Sequence, residues 1–88
     1  MANHKSAIKR MRQNVKRRAH NREYRSTMRT EIKKLQTAIE AGDKDLAATQ
    51  LPPTVAIIQR VAQKGIIHRK QAARRVSRLS QAVNALNA

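Results

Sequence analysis

At 88 residues, with 20 Lys+Arg against 5 Asp+Glu and a formal net charge of +15, the chain has room for one small domain and repels itself strongly. Lacking cysteine, it can build no disulfide framework, no cysteine-ligated zinc site and no thiol nucleophile. No stretch approaches the roughly 20 apolar residues of a membrane span, and no apolar run of signal-peptide length follows the basic segment 1–18, so a soluble protein of the compartment where it is made is expected.

With 2 Gly, 2 Pro and no alternating apolar pattern, the chain reads as all-α. The first helix is expected from Ser6, a suitable N-cap, to Ala41, with Gly42 as the residue that ends it. Such a helix would run about 54 Å at ~1.5 Å per residue, overlong for a small bundle. Its apolar positions change side midway. Tyr24, Met28, Ile32, Leu35 and Ile39 recur at 4, 4, 3 and 4 and form one stripe. Ile8, Met11, Val15 and Ala19 form another, on roughly the opposite side at ~100° per residue. A straight helix cannot press both stripes into one core. The expectation is a single domain over 1–88: a three-helix bundle over 28–88 and, over 1–27, an overlong N-terminal helix projecting beyond it.

A second helix is expected from Asp43, whose side chain suits an N-cap. Pro52 disfavours helical angles at Leu51, and Pro53 does the same at Pro52, so a kink or break with a fresh turn from about Pro53 is predicted. Val55, Ile58 and Ala62, with Ile57 and Val61 beside them, form the expected buried face, and Gly65 ends the segment. The third helix is predicted from His68 to Leu86. Ala72, Val76, Leu79, Val83 and Leu86 fall at 4, 3, 4 and 3 as a bundle seam, with Lys70, Arg74 and Arg78 on the far side.

Charge follows the same division. Residues 1–34 carry net +10, residues 35–59 net −2 and residues 60–88 net +7. With no Phe or Trp, the core is thin for the chain it must order, so the free protein is expected to be marginally stable, its N-terminal half ordering on binding.

The basic run Lys5, Lys9, Arg10, Arg12, Lys16, Arg17, Arg18, Arg22, Arg25 and Arg29 covers almost the whole circumference outside the narrow apolar stripe. A single basic face would suit a duplex lying on one side; charge nearly all round suits a helix threaded between several phosphate backbones. A merely solvated helix would suffer repulsion between pairs such as Arg18–Arg22 and Arg25–Arg29. Arginine outnumbers lysine, 12 to 8, and its planar fork matches phosphate. Tyr24 is the single aromatic, so no stacking platform for unpaired bases exists, and recognition must rest on phosphates, 2′-hydroxyls and shape. Tyr24 itself extends the Met28–Ile39 stripe and reads as a bundle-edge residue.

His4, His20 and His68 lack metal-ligand spacing, and polar or phosphate-facing roles suit them better. Asn14 and Asn21 read equally as RNA hydrogen-bonding groups or plain helix surface. Glu40, Asp43 and Asp45 cluster at a helix–helix turn, where capping accounts for them. No catalytic set, phosphate loop, metal site, cofactor or small-molecule substrate is expected.

Several stretches then stand out together. They are Met1-Ala2-Asn3-His4-Lys5-Ser6-Ala7-Ile8-Lys9-Arg10; Asn21-Arg22, followed by Arg25-Ser26-Thr27-Met28-Arg29-Thr30 and Ile32-Lys33-Lys34; Ala41-Gly42-Asp43-Lys44; and Lys64-Gly65-Ile66-Ile67-His68-Arg69-Lys70-Gln71-Ala72-Ala73-Arg74-Arg75, ending in Ser77-Arg78-Leu79. In this order the chain resembles, over nearly its full length, the bacterial small-subunit ribosomal protein family called S-twenty. The resemblance implies a three-helix bundle in the small ribosomal subunit. It also implies direct binding of 16S ribosomal RNA between the 5′ domain and the 3′ minor domain, with few or no protein neighbours. Carried over by position, the RNA contacts fall on Lys5, Lys9, Arg10, Arg17, Arg18, Arg22, Arg25 and Arg29, and on His68, Arg69, Lys70, Arg74, Arg75 and Arg78. The family usually has Lys-Asn at Arg69-Lys70 and often a lysine at Val76.

Two other readings stay open on residues alone. An architectural DNA-binding protein would need a minor-groove arm, an apolar wedge or a self-complementary dimer surface, none of which is evident. A membrane-active cationic helix would need a wide apolar face, whereas the N-terminal stripe is narrow and interrupted by Arg22.

Overall fold

The structure, a computed structural model, describes the backbone of residues 2–87 and the side chains of residues 5–87. The His4 side chain therefore lies outside the described residues. Three helices account for the fold: α1 (Ala2–Glu40), α2 (Lys44–Gln63) and α3 (Arg69–Asn87). Among the described residues there is no strand. The particle measures 66 × 20 × 15 Å. At ~1.5 Å per residue the 39-residue α1 alone spans about 58 Å of its long axis. The overlong first helix is thus the dominant feature of the shape.

The two apolar stripes of α1 meet different fates. Met28, Ile32, Leu35 and Ala38 are buried, with Tyr24 and Ile39 packed against them. Ile8, Met11 and Val15 stay exposed at 41%, 67% and 66%, and every side chain from Lys5 to His20 faces solvent. The helix begins at Ala2, not at Ser6, which lies inside it. No glycine or proline separates Ala2 from Ser6, so nothing in the sequence halts the helix there.

The α1–α2 turn is as short as two caps allow. Gly42 adopts φ +71°, its N–H donates to the Ile39 carbonyl and the Asp43 N–H donates to Ala38, the paired bonds of a glycine-terminated helix end. Asp43 then caps α2 through its carboxylate, which accepts the Leu46 N–H at 3.1 Å. Asp45 lies in the first turn of α2, where its charge complements the helix dipole. Glu40, in contrast, ends α1, where the dipole disfavours a negative charge; capping therefore explains two of the three acids and not the third.

The expected break at Pro52-Pro53 does not occur, and α2 runs through both prolines. Each removes one donor from the helix ladder, freeing the carbonyls of Ala48 and Thr49. Those two residues and both prolines are exposed, so water can satisfy the freed groups. The opposite side is anchored to α1. Thr54, fully buried, donates to the Gln50 carbonyl at 2.9 Å and lies 3.3 Å from the Glu31 carbonyl, while the Gln50 amide donates to the Glu31 carboxylate. The buried face of α2 is correspondingly rotated from the expected one: Ala47, Thr54, Ile58 and Val61 are buried, whereas Val55 and Ala62 are half-exposed.

A second glycine, Gly65 at φ +75°, closes α2 with the same pair of bonds, Gly65 N–H to Ala62 and Ile66 N–H to Val61. The third helix starts one residue later than expected because His68 takes the N-cap place. Its carbonyl accepts the Ala72 N–H and its Nδ1 lies 3.1 Å from the Lys70 nitrogen. Ala72, Leu79 and Val83 are buried, with Val76 and Leu86 packed beside them, as the seam spacing implies. The second helix lies against both of the others, whereas α1 and α3 barely touch. An open trough is left between them.

Candidate nucleic-acid interface

Place along the helix sorts most of the cations of α1 into two sets. Lys5, Lys9, Arg10, Arg12 and Lys16 ring the projecting half, all exposed and with no second helix alongside. Farther along, Arg18, Arg22, Arg25 and Arg29 recur at 4, 3 and 4 and align in one row, which Lys33 continues. The row forms one wall of the trough, and Arg75 of α3 projects from the other. Ile32 lies on the floor, and Asn21, Ser26, Thr30 and Gln36 supply neutral polar groups between the charges.

This wall is strained electrostatically in the protein alone. Like charges at i,i+4 repel by about 0.2–0.5 kcal/mol per pair, and Arg18–Arg22, Arg25–Arg29 and Arg29–Lys33 are three such pairs. Among the described residues the single ion pair is Lys34–Glu31 at 3.3 Å, between an exposed lysine and a half-buried glutamate, and it contributes little. Among the described residues, every other Lys and Arg lacks an acidic partner within salt-bridge range.

A second notch lies at the other edge of Asn21. Arg17, His20 and Asn21 meet Tyr24 of α1 and Lys64 of the α2–α3 connection. The Lys64 ammonium sits 4.7 Å over the Tyr24 ring, held by the negative face of the aromatic system. Tyr24 is therefore a half-buried bundle-edge residue that positions a cation, in keeping with its place in the stripe.

On α3 the candidates divide. Lys70, Arg74 and Arg78 are exposed on one face, Arg75 is half-buried towards α1, and Arg69 borders a shallow groove shared with Gln59 and Gln63 of α2. His68 spends Nδ1 on its cap, which leaves Nε2 as the ring nitrogen for an outside partner. The structure thus brings Arg18, Arg22, Arg25, Arg29 and Arg75 together, and separates them from Lys5–Lys16 and from Lys70, Arg74 and Arg78. Lys33 and Lys64 stand in stretches that the sequence singles out but not among its candidate RNA contacts. The 4-residue step from Arg29 carried the signal for Lys33; Lys64 stands beside Gly65 but shows its role only once Tyr24 is seen beneath it. Among the described residues no group of three or more His, Asp or Glu is placed to hold a metal ion, and no helix is long and apolar enough to cross a membrane.

The chain is similar to known proteins over nearly its full length. The family model described as ribosomal protein S20 matches residues 2–84. Small ribosomal subunit protein bS20 of Trichlorobacter lovleyi is 49% identical over 86 residues, 98% of this chain and 99% of that protein. The bS20 proteins of Nitrosomonas eutropha and Colwellia psychrerythraea are 52% and 51% identical, each over 86 residues and 98% of this chain, with 99% and 100% of the relative covered.

Proposed function

The chain belongs to the ribosomal protein S20 family, and from that premise we propose that it binds 16S ribosomal RNA directly as a clamp between separate RNA helices. Family membership makes it a structural component of the small ribosomal subunit, working in the cytoplasm, and not an enzyme. The finer reading concerns how it grips. Residues 1–27 are the RNA-facing part, free of tertiary packing as far as His20, and residues 28–88 are the bundle that anchors it. Contacts run through Lys5, Lys9, Arg10, Arg12, Lys16, Arg17, Arg18, Arg22, Arg25 and Arg29 on α1. His68, Arg69, Lys70, Arg74, Arg75 and Arg78 supply the remainder. The RNA partners are the 5′ domain and the 3′ minor domain, and few or no proteins adjoin it.

One observation carries this reading. Twenty basic side chains share a chain with five acids, and a single ion pair forms among the described residues. Positive charge left unpaired on opposite sides of α1 and on α3 suits several phosphate backbones converging on one protein. Neutralising them releases condensed counterions, so affinity must fall steeply with salt. Footprinting and filter binding with purified 16S ribosomal RNA test the proposal. The expected result is protection in both RNA domains and a strongly negative slope of log affinity against log salt. Binding that ignores salt, or equals that to duplex DNA of the same length, would overturn it.

A further inference from the structure

We propose that the trough between α1 and α3 seats one continuous stretch of RNA backbone, held from α1 by Arg22, Arg25 and Arg29 and from α3 by Arg75. Nucleic acid would then tie together two helices that the protein itself leaves nearly unconnected. The inference rests on the RNA-binding reading and adds a location, a ligand of defined form and a mechanical consequence.

Three features converge on it. The first is length. From Arg18 to Lys33 the basic row extends about 22 Å at ~1.5 Å per residue, long enough to follow a backbone past one phosphate. The second is the opposing wall. Arg75 is half-buried beside the row and, among the described residues, has no acidic partner, so a guanidinium is held beside like charges. An anion between it and α1 would relieve that repulsion, and the guanidinium's planar fork suits a phosphate. The third is the lining. Asn21, Ser26, Thr30 and Gln36 provide polar groups, and the sole large apolar side chain, Ile32, is buried on the floor. A protein helix docking there would find no apolar core to bury, whereas a sugar–phosphate strand finds charge and hydrogen-bonding groups.

Because α2 alone lies against both walls, a strand seated in the trough supplies a bridge that the bundle lacks. Arg75 and Arg25 then act on a shared ligand, and their effects on binding are coupled.

The test uses the full chain and 16S ribosomal RNA, with R25Q, R75Q, the double variant, the charge-keeping R75K and, as a control in the acidic segment, K44Q. Affinity is measured across a salt series. R25Q and R75Q are each expected to weaken binding about tenfold and to reduce the salt slope by about one. R75K, which keeps the charge but not the fork, should recover part of the affinity and the salt slope, which separates a lost phosphate contact from a disturbed fold, and K44Q should change nothing. The double variant should lose clearly less than the product of the two single losses, since removing either arginine loosens the strand from the other. A multiplicative loss, within about twofold, would mean that the two arginines meet separate strands, and would sink the proposal. So would R75Q binding as wild type while R25Q is impaired, or displacement of the RNA by an acidic peptide at equal charge concentration. Failure of the wild-type chain to bind 16S ribosomal RNA in a salt-dependent way would instead remove the underlying function.

Discussion

The hydroxyl of Thr54, wholly buried in α2, lies 3.3 Å from the main-chain carbonyl oxygen of Glu31 in α1. The Gln50 amide approaches the same hydroxyl at 3.3 Å and also donates to the Glu31 carboxylate, so the hairpin is cross-linked by a small polar cluster within its apolar core. Replacing Thr54 by Val keeps the shape and removes the hydroxyl. Thr54→Val is expected to cost about 1–2 kcal/mol, read as a lower denaturant midpoint with an unchanged slope.

Pro52 and Pro53 sit inside a helix whose ladder they interrupt. An interior proline costs about 3 kcal/mol or more, partly offset by about 0.4–1 kcal/mol from its stiffening of the unfolded chain. Pro52→Ala should therefore stabilise the protein by about 2 kcal/mol, and thermal unfolding followed by circular dichroism would show a raised Tm. A lowered Tm would mean that the prolines set a bend the bundle requires.

Gly65 shows the opposite sensitivity. A Cβ at this position would meet no atom within 4 Å, so space is not the obstacle; φ +75° is. Gly65→Ala is expected to cost about 1–2 kcal/mol from backbone conformation alone. Gly65→Asn should recover part of it, because asparagine tolerates the left-handed region better.

The two stripes of α1 should answer mutation differently. Leu35 is 0% exposed, and Leu35→Ala should cost about 2–5 kcal/mol, enough to unfold a small bundle. Val15 is 66% exposed, and Val15→Ser should leave the free protein within about 0.5 kcal/mol of wild type. Equal destabilisation by both would show that the leading stripe is covered in solution.

With no tertiary packing along residues 5–20, the backbone hydrogen bonds of that half are guarded only by the helix itself. Its amides should exchange quickly in the free protein and slow by orders of magnitude when RNA is added, while those around Leu35 and Ile58 stay protected in both states. Native-state hydrogen exchange measures both regions at once.

The architecture was largely legible in the sequence because periodicity reports burial directly. Met28, Ile32 and Leu35, and likewise Ala72, Leu79 and Val83, stand at core spacing and are core. Both glycine stops are equally plain, since few other residues suit positive φ. What escaped was tertiary. Thr54 reads as a polar residue near a proline pair, and only the approach of Glu31 and Gln50 turns it into a buried one. The same holds for the prolines: local propensity asks for a break, and packing of Leu51, Ile58 and Val61 into the common core overrides it. At the candidate site, charge and residue type named the arginines, but their sharing of one trough depends on how α3 lies beside α1, which no local pattern encodes.

Asp43 both closes α1, through its N–H to Ala38, and opens α2, through its carboxylate to Leu46. The hairpin consequently has no slack residue. Adding one at this corner would either forfeit a cap or turn α2 about its axis by roughly 100°, carrying Thr54 out of reach of Glu31. A connection of this kind behaves as a phase setting for the whole bundle, and its length is as constrained as the identity of any buried side chain.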